Sequence, residues 1–111
     1  MVNSLVLIGR IKSLEKKDLK DDKEKTEVEL KLIVQRQTKN IEGVYINDEI
    51  PVLLTDVIAE KTTEYLKPFD LVGIKGSLQT RHIESSNSDE SRIIVIAEKI
   101  TFLSSKKDET K

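Results

Sequence analysis

"IAEKTTEYLKPFDLVGIKGSLQTR", residues 58–81, changes its period halfway along, and that change decides the fold. Val57, Ile58, Lys61, Tyr65 and Leu66 recur at helical spacing, with Thr55 or Asp56 available as the N-terminal cap and Pro68 as the stop. From residue 71 the period becomes two. Val72, Ile74, Gly76, Leu78 and Thr80 fall on one parity, and Leu71, Gly73, Lys75, Ser77, Gln79 and Arg81 on the other, so this half is a strand. Gly76, on the apolar parity, lets that strand bend as a barrel requires, whereas Gly73 thins its outer face.

Further strands lie to either side. "SLVLIGRI" at 4–11, "TEVELKLIV" at 26–34 and "RIIVIAEKITFL" at 92–103 are apolar or alternating and rich in β-branched residues. The second alternates cleanly, Val28, Leu30, Leu32 and Val34 opposing Glu29 and Lys31. A third candidate, "GVYINDEIPVLL" at 43–54, contains Pro51, which has no N–H for a ladder and therefore marks an edge or a bulge. The charged run at 13–25, with its Asp21-Asp22 pair, reads as an exposed loop or hairpin tip, and "ESSNSDES" at 84–91 as a polar hairpin loop. Tyr65 and Phe102 stand at apolar-periodic positions and are expected in the core.

Three strands, a helix and two strands make a mainly β protein in the order of the five-stranded OB-fold, a Greek-key barrel with its helix between strands 3 and 4. The length of 111 residues suits one such domain, here placed at 1–104, with a disordered polar tail at 105–111.

Composition narrows the function. With 19 basic and 20 acidic residues there is no net positive field, so any anion site must come from cations sorted onto one face. Cysteine is absent and His82 is the only histidine, which removes thiolate chemistry, cysteine zinc sites and multi-histidine metal sites. No phosphate loop, dinucleotide fingerprint or calcium loop occurs. The expectation is a protein without catalytic activity, cofactor or metal. The short apolar run Leu5 to Ile8 is expected to be a strand rather than a signal or membrane span, which fits a cytoplasmic, nucleoid-associated protein.

Residues 58–81 also resemble the helix and fourth strand of the bacterial single-stranded DNA-binding proteins (SSB). The family pattern there is roughly Ala-Glu, a few residues, Tyr/Phe-Leu-Lys-Lys-Gly, then Val-x-Ile/Val-x-Gly-x-Leu-x-Thr-Arg. Ala59, Glu60, Tyr65, Leu66, Lys67, Val72, Ile74, Gly76, Leu78, Thr80 and Arg81 match it without a gap. "NSLVLIGRI", "LKLIVQR" and "AEKITFL" are similar to the family's opening, second-strand and closing motifs, so the likeness spans 3–103. It implies single-stranded DNA binding in replication, repair or recombination. It also implies a homo-oligomer, dimer or tetramer, and replication or repair proteins as partners.

The departures are chemical. The family's base-stacking tryptophans and phenylalanine fall on Glu49, Thr55, Ile83 and a position near Thr38, and this chain has no tryptophan. Stacking contributes ~1–3 kcal/mol per base, so binding must lean on phosphates, and a carboxylate at Glu49 opposes them. "SSKKDETK" stands where the family's acidic tip is expected, which points to a short form.

The resemblance puts Arg81 beside the DNA path, with Arg36 and Lys67 next, and the planar guanidinium suits phosphate. Lys75, Gln79 and Arg81 share a parity and are expected to project together. Arg10, Lys12 and Lys31 extend the groove, His82 lines it, and Tyr45 offers the one replacement stacking ring if it faces outward. Each has an ordinary alternative: a solvated surface charge, a helix-end charge at Lys67, or an edge charge that discourages aggregation. Two other functions stay open, a primosome-type accessory protein and an OB-fold interaction module that has lost strong nucleic-acid binding.

Overall fold

The computed structural model describes residues 1–18, 26–85 and 88–105. Its elements are β1 (Leu5–Asp18), β2 (Thr26–Lys39), β3 (Tyr45–Thr55), α1 (Asp56–Tyr65), β4 (Leu71–Ser85) and β5 (Ser88–Ser104). The strands close into a barrel in the order β1-β2-β3-β5-β4, every pair antiparallel except β3 with β5, which run parallel over Val52↔Val95 and Leu53↔Ile96. This is the expected five-stranded OB arrangement, with its helix between β3 and β4.

Alternation along the strands builds the core. Ile11, Val28, Leu30, Leu32, Val52, Leu54, Val72 and Ile74 are fully buried inside the barrel, and α1 adds Ala59 and Leu66. Full burial of one such side chain is worth ~1.5–3 kcal/mol, so these residues dominate the folding energy. Pro51 pairs with Lys31 of β2 and lies one residue before the short β5 ladder begins, so its missing N–H interrupts nothing on that side.

Two backbones approach where only glycine fits. A Cβ on Gly76 would stand 2.1 Å from the Ile96 carbonyl oxygen, and one on Gly9 2.3 Å from that of Ile33. Gly76 adjoins a register shift at which β5 carries one extra residue, so the close approach and the bulge form one feature of the closure. Gly73 meets only side-chain carbons, at 3.9 and 4.0 Å.

Several expectations change. Strand β1 runs on to Asp18 and β2 begins at Thr26, paired as Ser13↔Lys31 through Asp18↔Thr26, so much of the charged run is a ladder and not a loop. Alternating charges do not prevent pairing when main-chain bonds and Leu14 hold the strands. The Asp21-Asp22 turn lies outside the described residues. The polar stretch 84–91 is likewise mostly strand, with Glu84↔Asp89 and Ser85↔Ser88 paired; residues 86–87 and the tail from 106 onward lie outside the described residues.

The helix turns a different face inward. Ala59, Thr62 and Leu66 are buried, while Val57 and Tyr65 are exposed. Small side chains let the helix sit close, and the Thr62 hydroxyl tolerates burial because it donates to the Ile58 carbonyl at 2.7 Å. Thr55 occupies the N-cap with extended backbone but makes no side-chain cap bond, and Asp56 takes φ 52. The second expected core aromatic, Phe102, is also half exposed, standing beside the register shift between β4 and β5 at Leu71/Val72.

Candidate nucleic-acid interface

The outer face of β1, β2 and β3 is set by the same register that fills the core. Leu71 of β4, Arg10 of β1, Ile33 of β2 and Glu49 of β3 lie opposite one another in turn, with Gln35↔Asn47 forming the next outward row on β2 and β3. Between β1, the β2–β3 pair and the turn after α1 opens a cleft of about 560 Å³. Ile8, Ile33 and Leu71 give it apolar walls, Gln35 and Asn47 bring amides, and Arg10 and Phe69 border it.

Arg10 is anchored there, its Nη1 donating to the Phe69 carbonyl at 2.9 Å. Lys12 is the extra residue at the β1 bulge between Ile11 and Ser13, and the bulge redirects it across β2 to an ion pair with Glu49 of β3. Hydrogen bonding and charge from Lys12, with a further contribution from Lys31, hold the Glu49 carboxyl below its ordinary range. The carboxylate that stands in place of an aromatic is therefore partnered within its own face.

The pattern repeats elsewhere. Arg36 grips Asp48 through Nε and Nη2, both at 3.0 Å, which lowers the Asp48 pKa and raises that of Arg36. Arg81 contacts Glu27 through Nη2 at 3.1 Å and Nη1 at 3.4 Å, tying the β4–β5 hairpin to the start of β2. Arg36 lies nine positions along β2 from Glu27, roughly 30 Å of strand, so the two arginines favoured by the sequence serve opposite ends of the barrel.

Of the remaining candidates, Lys31 joins Lys12 and Arg10 on the outer wall. Lys75 is exposed on β4, where it pairs in register with Val6 and Lys99 six positions before Arg81. Lys67 sits in the α1–β4 turn, where its N–H donates to Oδ2 of the buried Asp70 at 2.9 Å. His82 is exposed on the β4–β5 hairpin beside Arg81. Tyr45 opens β3 and does face outward, but the Lys39 ammonium lies 5.3 Å from its ring centroid, so a cation already covers one π-face. Among the described residues no cluster of three or more acidic or histidine side chains is placed to hold a metal, and no helix is long and apolar enough to cross a membrane.

Sequence reasoning missed the carboxylate partners Asp48 and Glu27, because a cross-strand pair is visible only once register is known. It also missed Phe69, which sits at φ 73, a region that costs a bulky L residue ~1–2 kcal/mol. The signal was available: the family's Lys-Lys-Gly falls on Lys67, Pro68 and Phe69, a ring where glycine is expected.

A closed five-stranded barrel with one helix between its third and fourth strands, and a cation-bearing outer wall, defines an OB-fold protein. Residues 2–103 match the single-strand binding protein family, and the chain belongs to that family. It is 29% identical over 108 residues to Single-stranded DNA-binding protein 1 of Clostridium acetobutylicum, covering 96% of this chain and 98% of that one. A Plasmodium falciparum SSB solved in complex with ssDNA superposes with a TM-score of 0.77 at 20% identity, over 93% of this chain and 96% of that one. The single-stranded DNA-binding protein of Thermus aquaticus, as a deletion mutant, superposes with a TM-score of 0.75 at 22% identity over 95% of this chain, which spans about half (52%) of that one. At these identities the two solved structures speak for the fold.

Proposed function

We propose that this protein binds single-stranded DNA along the outer wall of β1, β2 and β3, chiefly through backbone phosphates, and serves DNA replication, repair or recombination without catalysing a reaction. The observation that carries this reading is the family match over 2–103, nearly the whole chain. The wall supports it with Arg10, Lys12 and Lys31 on adjoining strands and Arg81 reaching Glu27 at one end, while Arg36 stands at the other end of β2 on the opposite parity. Such contacts read the backbone and not the bases, so little sequence preference is expected.

The same reading includes a homo-oligomer, dimer or tetramer. Val6, Ile8 and Leu103 are exposed along β1 and β5, with Gly73 of β4 beside Ile8 and Leu103, which is apolar surface suited to a second copy that adjoins the cleft at Ile8. Linked weak sites gain by effective concentration, which offsets the missing tryptophans.

One observation favours a second reading, an OB-fold interaction module: Arg36, Lys12 and Arg81 all pair with carboxylates of the protein itself. Charge reversal decides between them. In the DNA-binding reading, Arg36→Glu with Arg81→Glu lowers affinity for an oligo(dT) strand at least tenfold; unchanged affinity leaves only the interaction module.

A further inference from the structure

Arg81 of β4 and Arg92 of β5 stand directly opposite one another in the hairpin ladder, next to the pair Gln79↔Ile94 on the barrel side. Directly opposed residues of an antiparallel pair share a face, with Cβ atoms about 4.5–5.5 Å apart, so two like charges there repel and weaken the hairpin. Glu27 relieves part of that repulsion. Its side chain is only 13% exposed, and its carboxylate accepts from Arg81 Nη2 at 3.1 Å and Nη1 at 3.4 Å, while the Arg81 side chain stays 46% exposed. Within this trio two guanidiniums oppose one carboxylate, and one positive charge is left over.

The surplus sits at Arg92. Of the chain's four arginines, Arg10 is held by the Phe69 carbonyl, Arg36 by Asp48 and Arg81 by Glu27. The exposed guanidinium of Arg92 has no ion-pair or hydrogen-bond partner among the described residues, Glu90 two positions away included. Nor is Arg81 used up, since its contacts with Glu27 take two of the five N–H donors that a guanidinium carries. Two planar forks side by side are a site for an oxyanion. Charge selects which one. A backbone phosphodiester cancels the surplus with Glu27 still in place, whereas a terminal phosphate monoester, carrying about −1.5 to −2, requires Glu27 to leave.

We infer that Arg81 and Arg92 together hold one backbone phosphate of the bound strand, with Glu27 keeping Arg81 in place as a positioning residue. The inference rests on the single-stranded DNA reading above. It adds Arg92, which lies outside the family motifs matched in this sequence. Because Glu27 stands at the start of β2, the phosphate lies where the β1–β3 wall meets the β4–β5 hairpin, and the strand leaves the wall there.

Arg92→Gln tests the site. Fluorescence anisotropy of labelled oligo(dT) is followed across a salt series, with urea unfolding alongside, and the control is Lys99→Gln, which removes the same charge seven positions further along β5. Arg92→Gln is expected to lower affinity roughly five- to tenfold at about 50 mM salt and to flatten the plot of log affinity against log salt by about 0.7, the loss of one phosphate contact. Its urea midpoint holds or rises, because a like-charge pair is gone, and Lys99→Gln keeps the slope. Arg81→Gln combined with Arg92→Gln loses less than the product of the single losses, since both break the same contact. Strands with a 5′-hydroxyl and a 5′-phosphate are affected equally. Unchanged affinity and slope in Arg92→Gln make it a charge that guards the strand edge, and overturn the site while leaving the DNA reading intact. A lowered urea midpoint, an equal change of slope in Lys99→Gln, losses that multiply, or a loss confined to the 5′-phosphorylated strand each overturn it as well. No binding of oligo(dT) by the unmodified protein overturns the DNA reading and the phosphate site together.

Discussion

Arg36 and Asp48 form a two-point fork across β2 and β3, Nε to Oδ2 and Nη2 to Oδ1, each at 3.0 Å. The geometry is that of a guanidinium gripping a phosphate, with the carboxylate occupying the phosphate's place. Lys12 with Glu49 makes a single-point ion pair on the outer wall, on the other parity of β3 from Asp48. A DNA strand must therefore displace two carboxylates before it can use these cations. Asp48→Asn is expected to raise affinity for oligo(dT) by a few fold at low salt, and Glu49→Gln likewise. Because each variant leaves one more cation to be neutralised by phosphate, the plot of log affinity against log salt steepens by about 0.7 per variant. A fall in affinity would mean that the carboxylates position the cations and do not compete for them.

The same carboxylates give a pH signature in stability. Both Asp48 and Glu49 have folded-state pKa values below their ordinary ones, held down first by their hydrogen bonds to Arg36 and Lys12. A depressed carboxylate adds stability above its unfolded pKa and loses it as pH falls through its folded pKa. Stability should thus be level from pH 7 to about 5 and decline below about 4. The effect is small because both groups are solvated. In Asp48→Asn with Glu49→Gln the urea midpoint falls less steeply over that acid limb, and superimposable limbs would show that the pairs contribute nothing.

The glycines form a graded series. Gly76→Ala and Gly9→Ala drive a methyl group to within 2.1 and 2.3 Å of a carbonyl oxygen on the neighbouring strand, whereas Gly73→Ala meets only side-chain carbons near 4 Å. Overpacking of the first kind costs about 1–3 kcal/mol or more. Urea unfolding should show both variants strongly destabilised and Gly73→Ala within about 0.5 kcal/mol of the unmodified protein. A tolerated Gly76→Ala would mean that the barrel closes with more slack than this register describes.

Asp70 tests the turn that precedes β4. Its carboxylate is buried and accepts from the Lys67 N–H, so Asp70→Ala leaves that donor without its partner at a cost of about 1–3 kcal/mol. Asp70→Asn retains an acceptor and should recover much of the loss. Equal midpoints for the two variants would remove the hydrogen bond from the account.

The fold was readable because its signals are local. The switch from helical to twofold period around Pro68, the clean alternation of Val28, Leu30, Leu32 and Val34, and Gly76 on the apolar parity each state their structure without reference to distant residues. What could not be read depends on pairing. Whether Ser13–Asp18 is loop or strand depends on β2 lying opposite, and the rotation of α1 depends on Ala59 and Thr62 being small enough to approach the barrel. The site suffered most. Arg36, Lys12 and Arg81 were identified as cations of the DNA path, but their neutralising partners lie 12, 37 and 54 residues away in sequence. Phe69 escaped notice because its oddity is a backbone angle.

The central claim is that this face binds single strands, and the most direct measurement is fluorescence anisotropy of a labelled oligo(dT) strand titrated with the protein at low and moderate salt, against a duplex competitor. The account predicts saturable binding that weakens as salt rises and that duplex fails to displace. No binding at low salt by folded protein, or equal displacement by duplex, would contradict it.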